Sequence, residues 1–166
     1  MQSFEQVVTA HGARVLRVCR AVLGPVDADD AWSETFLAAL RAYPELPEDA
    51  NVEAWLVTIA HRKAIDVRRR AARAPQPRVE AASSASVPMR EVEDSLTLYD
   101  ALRDLPERQR LCVAYHHLGG LSFREVAAVL GGTEAAARRA SADGIRALRA
   151  RLGAERPAAL TQGASR

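Results

Sequence analysis

The stretch Leu121–Leu148, LSFREVAAVLGGTEAAARRASADGIRAL, has the pattern of two short helices joined by a tight turn. Ser122 can cap the first helix and Thr133 the second, because their hydroxyl groups accept hydrogen bonds from free backbone amides. Gly131 supplies the positive φ that a short turn between crossed helices requires. The apolar face of the first helix consists of Val126, Val129 and Leu130. The stretch therefore predicts a helix-turn-helix.

The second helix of this motif carries two cations, Arg138 and Arg139. In DNA-binding proteins of this kind the second helix lies in the major groove, with its early residues at the base edges. The same spacing also fits two amphipathic helices of an ordinary bundle. The rest of the sequence distinguishes between these two interpretations.

Composition and charge favour a helical protein with differently charged surfaces. Hydrophobic residues make up 48% of the 166 residues and aromatic residues only 5%, and Ala and Leu predominate. This composition is typical of an all-α fold. The net charge is only +2, but the segments 61–73 and 138–151 are basic and 27–53 is acidic. Such asymmetry suits a chain that meets nucleic acid on one surface and a basic or protein partner on another.

The sequence gives no sign of a membrane or secreted protein. No stretch approaches the roughly 18 apolar residues of a membrane span, and no basic-then-apolar signal sequence opens the chain. Cys19 and Cys112 lie far apart on apolar helical faces, so we expect two reduced, buried thiols. These observations predict a cytoplasmic protein without membrane insertion.

The chain divides into two helical blocks. Apolar residues at helical spacing predict a helix over Phe4–Leu23, a second helix capped by Asp27 and a third capped by Asn51. The apolar side of the second helix is expected to hold Trp32, Phe36, Leu37 and Leu40. Residues 71–88 are rich in Ala, Ser and Pro, which predicts a flexible linker. We expect a helical domain at 1–70, the linker at 71–91, a helix-turn-helix domain at 92–152 and a disordered tail at 153–166. In the second block, Pro106 is expected to start a helix over Glu107–Leu118.

Three motifs carry a resemblance to a known family. They are DADDAWSETFLAALRAY at Asp27–Tyr43, AWLVTIAHRKAIDVRRR at Ala54–Arg70, and LRDLPERQRLCVAYHHLGGLSFREVAAVLG at Leu102–Gly131. In this order they resemble the small two-domain sigma factors of bacterial RNA polymerase, the extracytoplasmic-function (ECF) type of the sigma-70 family. The resemblance covers both blocks. It implies a protein that binds core RNA polymerase and directs promoter recognition and transcription initiation, without a cofactor, a metal or catalytic residues.

The resemblance also implies which residues meet each partner. An acidic helix of the first domain docks on core RNA polymerase, here through Asp29, Asp30, Glu34 and Phe36. The next helix meets the −10 element of promoter DNA, through His61, Arg62, Lys63, Arg68, Arg69 and Arg70. The helix-turn-helix meets the −35 element, through Ser122, Arg124, Thr133, Glu134, Arg138 and Arg139. Many relatives are also held inactive by an anti-sigma factor, which makes such a protein a further expected partner.

Each of these roles has an ordinary structural alternative. Phe36 can be a core residue, and the acidic residues of its helix can simply cap and solvate it. Trp55 is expected in the core. Asp66 is expected to pair locally with Arg62, Arg69 or Arg70.

Three departures from the family's pattern bear on promoter recognition and opening. The loop that in the family holds a flipped base is acidic here, and carboxylates repel phosphates; its acids are Glu45, Glu48, Asp49 and Glu53. Arg62 stands where the family usually has Asn. The recognition helix is rich in Ala, and Gly144 is expected to weaken it by about 1 kcal/mol relative to Ala.

Other classes of function remain as alternatives. Cys112, His116 and His117 lack the further ligands of a metal site, and a Cys-His nucleophile lacks an orienting carboxylate, so we expect no enzyme. A DNA-binding regulator that does not bind polymerase is one alternative. Another is a sigma-like protein that binds polymerase or another partner without opening promoters.

Overall fold

The computed structural model describes residues 2–73 and 98–154. Within these two ranges the regular elements are all helical, which confirms the all-α prediction. The first range contains α1 (Phe4–Leu23), α2 (Pro25–Ala42), a 3-10 turn (Tyr43–Glu45) and α3 (Val52–Arg73). The second contains α4 (98–103), α5 (Glu107–Val113), a π-helical turn (Ala114–Leu118), α6 (Phe123–Leu130) and α7 (Glu134–Ala154).

Local signals fix most of the helix ends in the first range. The Ser3 side chain caps α1 in a capping box with Gln6, and Gly24, at φ 82°, ends it. The predicted bounds of α1 are therefore confirmed. Asn51 caps α3, since its Oδ1 accepts from the Ala54 amide at 3.2 Å. The predicted cap at Asp27 is wrong: α2 begins earlier, at Pro25, and Asp27 lies in its first turn, where its charge favours the helix dipole.

The predicted linker and tail fall largely outside the described residues. Residues 71–73 continue α3, so the first domain's helix extends past the expected boundary at 70. Gly153 and Ala154 still belong to α7 rather than to the predicted tail. The linker from residue 74 and the tail from residue 155 are not described.

The exposed and buried sides of α2 differ from the prediction. Phe36 is only 6% exposed and contacts Trp32, with ring centroids 4.8 Å apart. Leu37 and Leu40 are 56% and 51% exposed. The expectation that all four apolar residues share one buried side is therefore wrong. Only Trp32 and Phe36 face the core that α1 and α3 complete.

The two blocks share a hydrophobic core. One cluster of buried residues belongs to the first block alone; it includes Val7, Val15, Leu56 and Ala60. A second cluster joins Val18, Val22 and Val57 to buried residues of α4–α7. Tyr115 belongs to this second cluster and has no exposed surface. The helix-turn-helix block therefore packs directly against α1 and α3.

The end of the predicted helix Glu107–Leu118 is a π-helical turn rather than regular α-helix. Its signature is the bond from the Gly119 amide to the Ala114 carbonyl, 2.8 Å and five residues apart. Such turns insert one extra residue and rotate the side chains that follow. Here the turn contains Tyr115 and the adjacent pair His116 and His117.

Gly144 has a packing role that helix propensity does not reveal. A Cβ at this position would lie 2.8 Å from Val113 Cγ2 and 3.4 Å from the Gln109 carbonyl oxygen. The missing side chain therefore allows α7 to approach α5 closely. By helix propensity alone this glycine weakens α7. Its short distance to α5 indicates instead that it permits the two helices to pack together.

We predict that Gly144→Ala destabilises the protein by about 1 kcal/mol, because overpacking costs about 1–3 kcal/mol and exceeds the gain in propensity. Gly153→Ala is the matched control in the same helix, since no atom lies within 4 Å of its added Cβ. Urea unfolding followed by circular dichroism measures both. A stabilising effect of Gly144→Ala would contradict the packing role.

Candidate nucleic-acid and partner interfaces

The helix-turn-helix forms as the sequence predicts. Ser122 and Glu125 make a reciprocal capping box at the start of α6. The turn has positive φ at Gly131 (80°) and Gly132 (95°). The Thr133 hydroxyl accepts from the Ala136 amide at 3.1 Å and so caps α7. The exposed residues at the start of α7 are Thr133, Glu134, Ala135, Ala136, Arg138 and Arg139.

Arg138 is held in place by residues of two helices. Its Nη2 donates to Glu134 Oε1 at 2.5 Å, and its guanidinium lies 5.4 Å from the centroid of the Phe123 ring. His116 stacks on Phe123 at 3.8 Å. Phe123 and His116 were not among the predicted site residues, because stacking between separate elements leaves no spacing signal in the sequence. Arg139 is exposed and has no such contacts with residues 2–73 or 98–154.

The two predicted residues at the start of α6, Ser122 and Arg124, differ in whether they are already hydrogen-bonded within the protein. The backbone amide and hydroxyl of Ser122 both contact the Glu125 carboxylate, at 2.8 Å and 2.9 Å. The backbone amide of Ser122, a predicted contact of the −35 element, is therefore already hydrogen-bonded within the protein. Arg124 is exposed.

The outer side of α2 combines acidic and apolar residues. Asp29 and Asp30 are exposed, and Glu34 is partly exposed. Phe36, predicted to be a partner contact, lies in the core instead. Leu37 and Leu40, which sequence reasoning placed inside, are at the surface. We call the surface formed by Asp29, Asp30, Glu34, Leu37 and Leu40 the α2 face.

Exposed cations line one side of α3. Arg62 and Arg69 are exposed and Lys63 is partly exposed. Arg62 and Arg69 are seven positions apart, close to two full turns, so they share a face. Within the described ranges no carboxylate lies within ion-pair distance of any of the three.

Two other predicted cations of α3 are engaged by the second block. Arg68 pairs with Glu107 of α5, and this bond lowers the pKa of Glu107. His61 Nδ1 lies 2.5 Å from the Tyr115 hydroxyl, which donates to it when the neutral imidazole carries its proton on Nε2. These contacts turn His61 and Arg68 towards the helix-turn-helix block.

Arg70 has a partner that sequence reasoning did not assign. Its Nη2 lies 2.7 Å from Glu34 Oε1 and 2.9 Å from Oε2. Asp66 forms no ion pair with any cation in the described part of the chain. The prediction that Asp66 pairs with Arg62, Arg69 or Arg70 is therefore wrong, and α2 supplies the carboxylate instead.

The acidic loop carries less unpaired negative charge than its sequence suggests. Glu53 lies in the first turn of α3 and pairs with Arg14, with His11 Nδ1 3.7 Å away. Glu48 and Asp49 are exposed. One of the four carboxylates of this segment is thus neutralised within the first block.

Both cysteines are buried, as predicted. Burial, with a smaller contribution from Asp29, raises the pKa of Cys19 to about 12. Burial also raises the pKa of Cys112. Neither thiol is therefore activated as a nucleophile, which needs the thiolate. Among residues 2–73 and 98–154 no three His, Cys, Asp or Glu side chains are grouped so that they could hold a metal ion. No helix in these same ranges is long and apolar enough to cross a membrane.

We predict that acid weakens the fold before its carboxylates titrate. Burial lowers the pKa of His61 from 6.5, Arg62 lowers it further, and Glu107 opposes this; burial also lowers the pKa of His117. The unfolded chain then binds more protons below pH 6.5, so stability falls as pH drops through that value. Glu107, with its lowered pKa, loses its contribution only below about pH 4.5.

Urea midpoints measured from pH 7 to pH 5 test this prediction. His61→Gln keeps an acceptor for Tyr115 but cannot take up a proton. Its midpoint should fall less over this range than that of the unaltered chain, with His117 accounting for the remainder. An equal fall in both proteins would exclude His61 as a source of the acid sensitivity.

Comparison with known families gives two matches in chain order. The family model described as Sigma-70 region 2 matches residues 7–74, and the one described as Sigma-70, region 4 matches residues 95–148. The first covers α1 from Val7 onward together with α2 and α3, and so includes the α2 face and the exposed cations of α3. The second contains the helix-turn-helix.

Individual proteins match over most of the chain. The RNA polymerase sigma factor CarQ of Myxococcus xanthus is 32% identical over 156 residues, 91% of this chain and 90% of CarQ. The ECF RNA polymerase sigma factor SigM of Mycobacterium tuberculosis is 30% identical over 133 residues, 80% of this chain and 68% of SigM. Among solved structures, CnrH in complex with the cytosolic domain of CnrY has a TM-score of 0.65 at 28% identity, over 92% of this chain and 88% of that one. RpoE of Bartonella quintana, in complex with the anti-sigma factor NepR, has a TM-score of 0.69 at 18% identity, over 92% and 98% of the two chains, which is a likeness of fold.

Proposed function

Because the chain belongs to the sigma-70 family and is an ECF sigma factor, we propose how its surfaces are divided between the partners of such a factor. As a sigma factor it binds core RNA polymerase and directs promoter recognition and transcription initiation. The observation that carries the division is the opposite charge of two neighbouring exposed surfaces. The α2 face is acidic, and the outer side of α3 is basic.

The α2 face is the proposed docking site for core RNA polymerase. Asp29, Asp30 and Glu34 would attract a basic surface, and the exposed side chains of Leu37 and Leu40 would supply apolar contact. Interfaces of this kind use charge for steering and buried apolar groups for affinity. Phe36 acts indirectly, because it packs α2 onto the core.

The exposed side of α3 is the proposed site for the −10 element. Arg62, Lys63 and Arg69 are free of carboxylate partners in the described ranges and can track phosphates directly. His61 and Arg68 can join them only after their contacts with Tyr115 and Glu107 are released. The packed arrangement of the two blocks is therefore proposed to be a form that separates before the −10 element binds.

The start of α7 is the proposed site for the −35 element. Arg138 and Arg139 would reach base edges in the major groove or the phosphates beside it. Arg124 would contact the DNA backbone. The contact with the Phe123 ring and the bond to Glu134 restrict the Arg138 side chain before DNA arrives. Ser122, Thr133 and Glu134 shape this site through caps and the Arg138 pair.

We also propose a regulatory partner, a cellular location and a domain division for this chain. CnrH is bound to the cytosolic domain of CnrY in its structure, and RpoE to the anti-sigma factor NepR. We propose an anti-sigma partner here as well. We further propose that the protein works in the cytoplasm, as a non-enzymatic factor. The division into domains at 1–70 and 92–152 remains a proposal, with α3 extending to Arg73.

In vitro transcription tests the function directly. Core polymerase is incubated with the chain and fragmented genomic DNA, and RNA 5′ ends are mapped. We expect discrete start sites that share upstream sequence elements and are absent with core polymerase alone. We predict that Arg62→Ala/Arg69→Ala lowers initiation at these sites at least about tenfold, since bonds to charged groups are each worth about 1.5–3 kcal/mol.

Arg17→Ala/Arg149→Ala is the matched control, because both arginines are exposed and lie outside the proposed sites. Equal loss in the two double variants would remove the assignment of α3 to DNA. Polymerase binding without any start sites would favour the second candidate, a sigma-like protein that does not open promoters. That candidate draws on the exposed Glu48 and Asp49 and the alanine-rich start of α7.

A further inference from the structure

Arg70 lies between the two proposed interfaces of the first block. It belongs to the basic end of α3, yet its guanidinium contacts both oxygens of Glu34, at 2.7 Å and 2.9 Å. The Arg70 side chain is 57% exposed and that of Glu34 28%. The pair therefore sits at the surface, where a partner can reach either member.

The surroundings of Arg70 are acidic beyond this one contact. The hydrogen bond from Arg70 to Glu34 raises the pKa of Arg70, and the charges of Asp30 and Asp66 raise it further. Asp30 and Glu34 are one helical turn apart on the α2 face. A cation from the DNA-binding helix thus neutralises part of the surface that is proposed to bind a basic partner.

We propose that Arg70 is an internal competitor that links polymerase docking to DNA binding through Glu34. The proposal rests on the proposed function of the α2 face and of α3. A polymerase cation that binds Glu34 displaces Arg70 and leaves its guanidinium available to a DNA phosphate. A phosphate that binds Arg70 in turn leaves Glu34 available to polymerase.

Linkage requires the two effects to be equal. If docking raises the affinity of the chain for DNA by a given factor, DNA raises its affinity for polymerase by the same factor. The factor is set by the free energy of an exposed ion pair, which corresponds to about two- to fivefold in affinity. It should shrink with added salt, because exposed charges are screened.

The proposal gives Arg70 an effect of opposite sign on the two partners. Removing the competitor should strengthen binding to core polymerase and weaken binding to DNA. A residue that only contacts DNA would change DNA binding alone. A residue that only stabilises the fold would weaken both.

The test measures Arg70→Ala against Arg69→Ala. Both changes remove one arginine from adjacent exposed positions, but only Arg70 pairs with Glu34. Fluorescence titration of labelled full chain with core polymerase should show Arg70→Ala binding about two- to fivefold more tightly than Arg69→Ala at low salt. Anisotropy with a labelled single-stranded DNA 20-mer should show both variants binding more weakly than the unaltered chain.

Glu34→Gln supplies the reciprocal measurement. It releases Arg70 without adding a charge at position 34, so the isolated chain should bind the single-stranded DNA more tightly. Adding Arg70→Ala to Glu34→Gln should abolish that gain. A gain that persists in the double variant would come from general charge and would overturn the coupling.

Failure of this inference is distinguishable from failure of the proposed function. If the unaltered chain binds core polymerase and Arg70→Ala matches or falls below Arg69→Ala in that affinity, the coupling is wrong and the docking site stands. If the unaltered chain does not bind core polymerase, the proposed function fails and the coupling fails with it.

Discussion

Reversing two charges on the α2 face, Asp30→Arg/Glu34→Arg, is expected to weaken binding to core polymerase at least about a hundredfold, because like charges facing each other across an interface cost several kcal/mol. Both residues belong to a surface that also presents Leu37 and Leu40. An arginine at position 34 would also repel Arg70, with which Glu34 pairs. Fluorescence titration of the labelled chain with core polymerase measures the effect.

Glu48→Arg/Asp49→Arg is the control for this experiment. It makes the same change in net charge within the first block, at two exposed residues outside the α2 face. We expect its effect on polymerase affinity to be less than about tenfold and to fade with salt, as long-range electrostatics do. Equal losses in the two double variants would mean that overall charge, rather than the α2 face, governs docking.

Replacing Tyr115 by Ala is expected to destabilise the protein by about 3–5 kcal/mol, which is typical of an aromatic residue removed from a core. Tyr115 has no exposed surface and lies in the cluster that joins α1 and α3 to α4–α7. Its hydroxyl also reaches His61 at 2.5 Å. Tyr115→Phe keeps the ring and should cost only about 1 kcal/mol, the usual net worth of one hydrogen bond.

The tryptophans provide a sharp readout for this experiment. The chain has two, Trp32 and Trp55, and both lie in the first block, whereas Tyr115 lies in the second. If the blocks share a core, Tyr115→Ala lowers the urea midpoint of Trp fluorescence together with that of circular dichroism. An unchanged fluorescence midpoint would show that the blocks unfold independently and that their packing adds little.

Elements with strong local signals could be predicted from the sequence. Helix α1 has a capping residue at one end and Gly24 at the other, and both act through nearest-neighbour geometry. The helix-turn-helix is equally local, since its two caps and the glycine turn each involve residues at most a few positions apart. The positions of these helices therefore needed no knowledge of what packs against them.

Which residues of α2 are buried and which are exposed could not be predicted in the same way. The apolar residues of α2 spread over an arc too wide to be buried whole: Trp32, Phe36, Leu37 and Leu40. Apolar content alone does not say which part of this arc faces the core. Packing of Phe4 and Trp32 around Phe36 selects the inner part. Leu37 and Leu40 are left outside, where they extend the acidic surface that the sequence did indicate.

Gly144 shows the same limit for a single residue. Propensity describes the helix that contains it, and by that measure the glycine is a defect. The closeness of Val113 and Gln109 is a property of α5 and α7 together. Only the approach of the second helix decides whether the absent side chain costs stability or permits packing.

The sequence by itself determined the helical class, the order of the motifs, the helix-turn-helix and the separation of acidic from basic segments. These features depend on composition and on spacing over a few residues. The tertiary structure decided which charges are available: Arg68 is engaged by Glu107 and Arg70 by Glu34, while Arg62 and Arg69 stay exposed. The physical reason is that an ion pair between helices depends on distances in space, and partners 36 or 39 residues apart carry no signal along the chain.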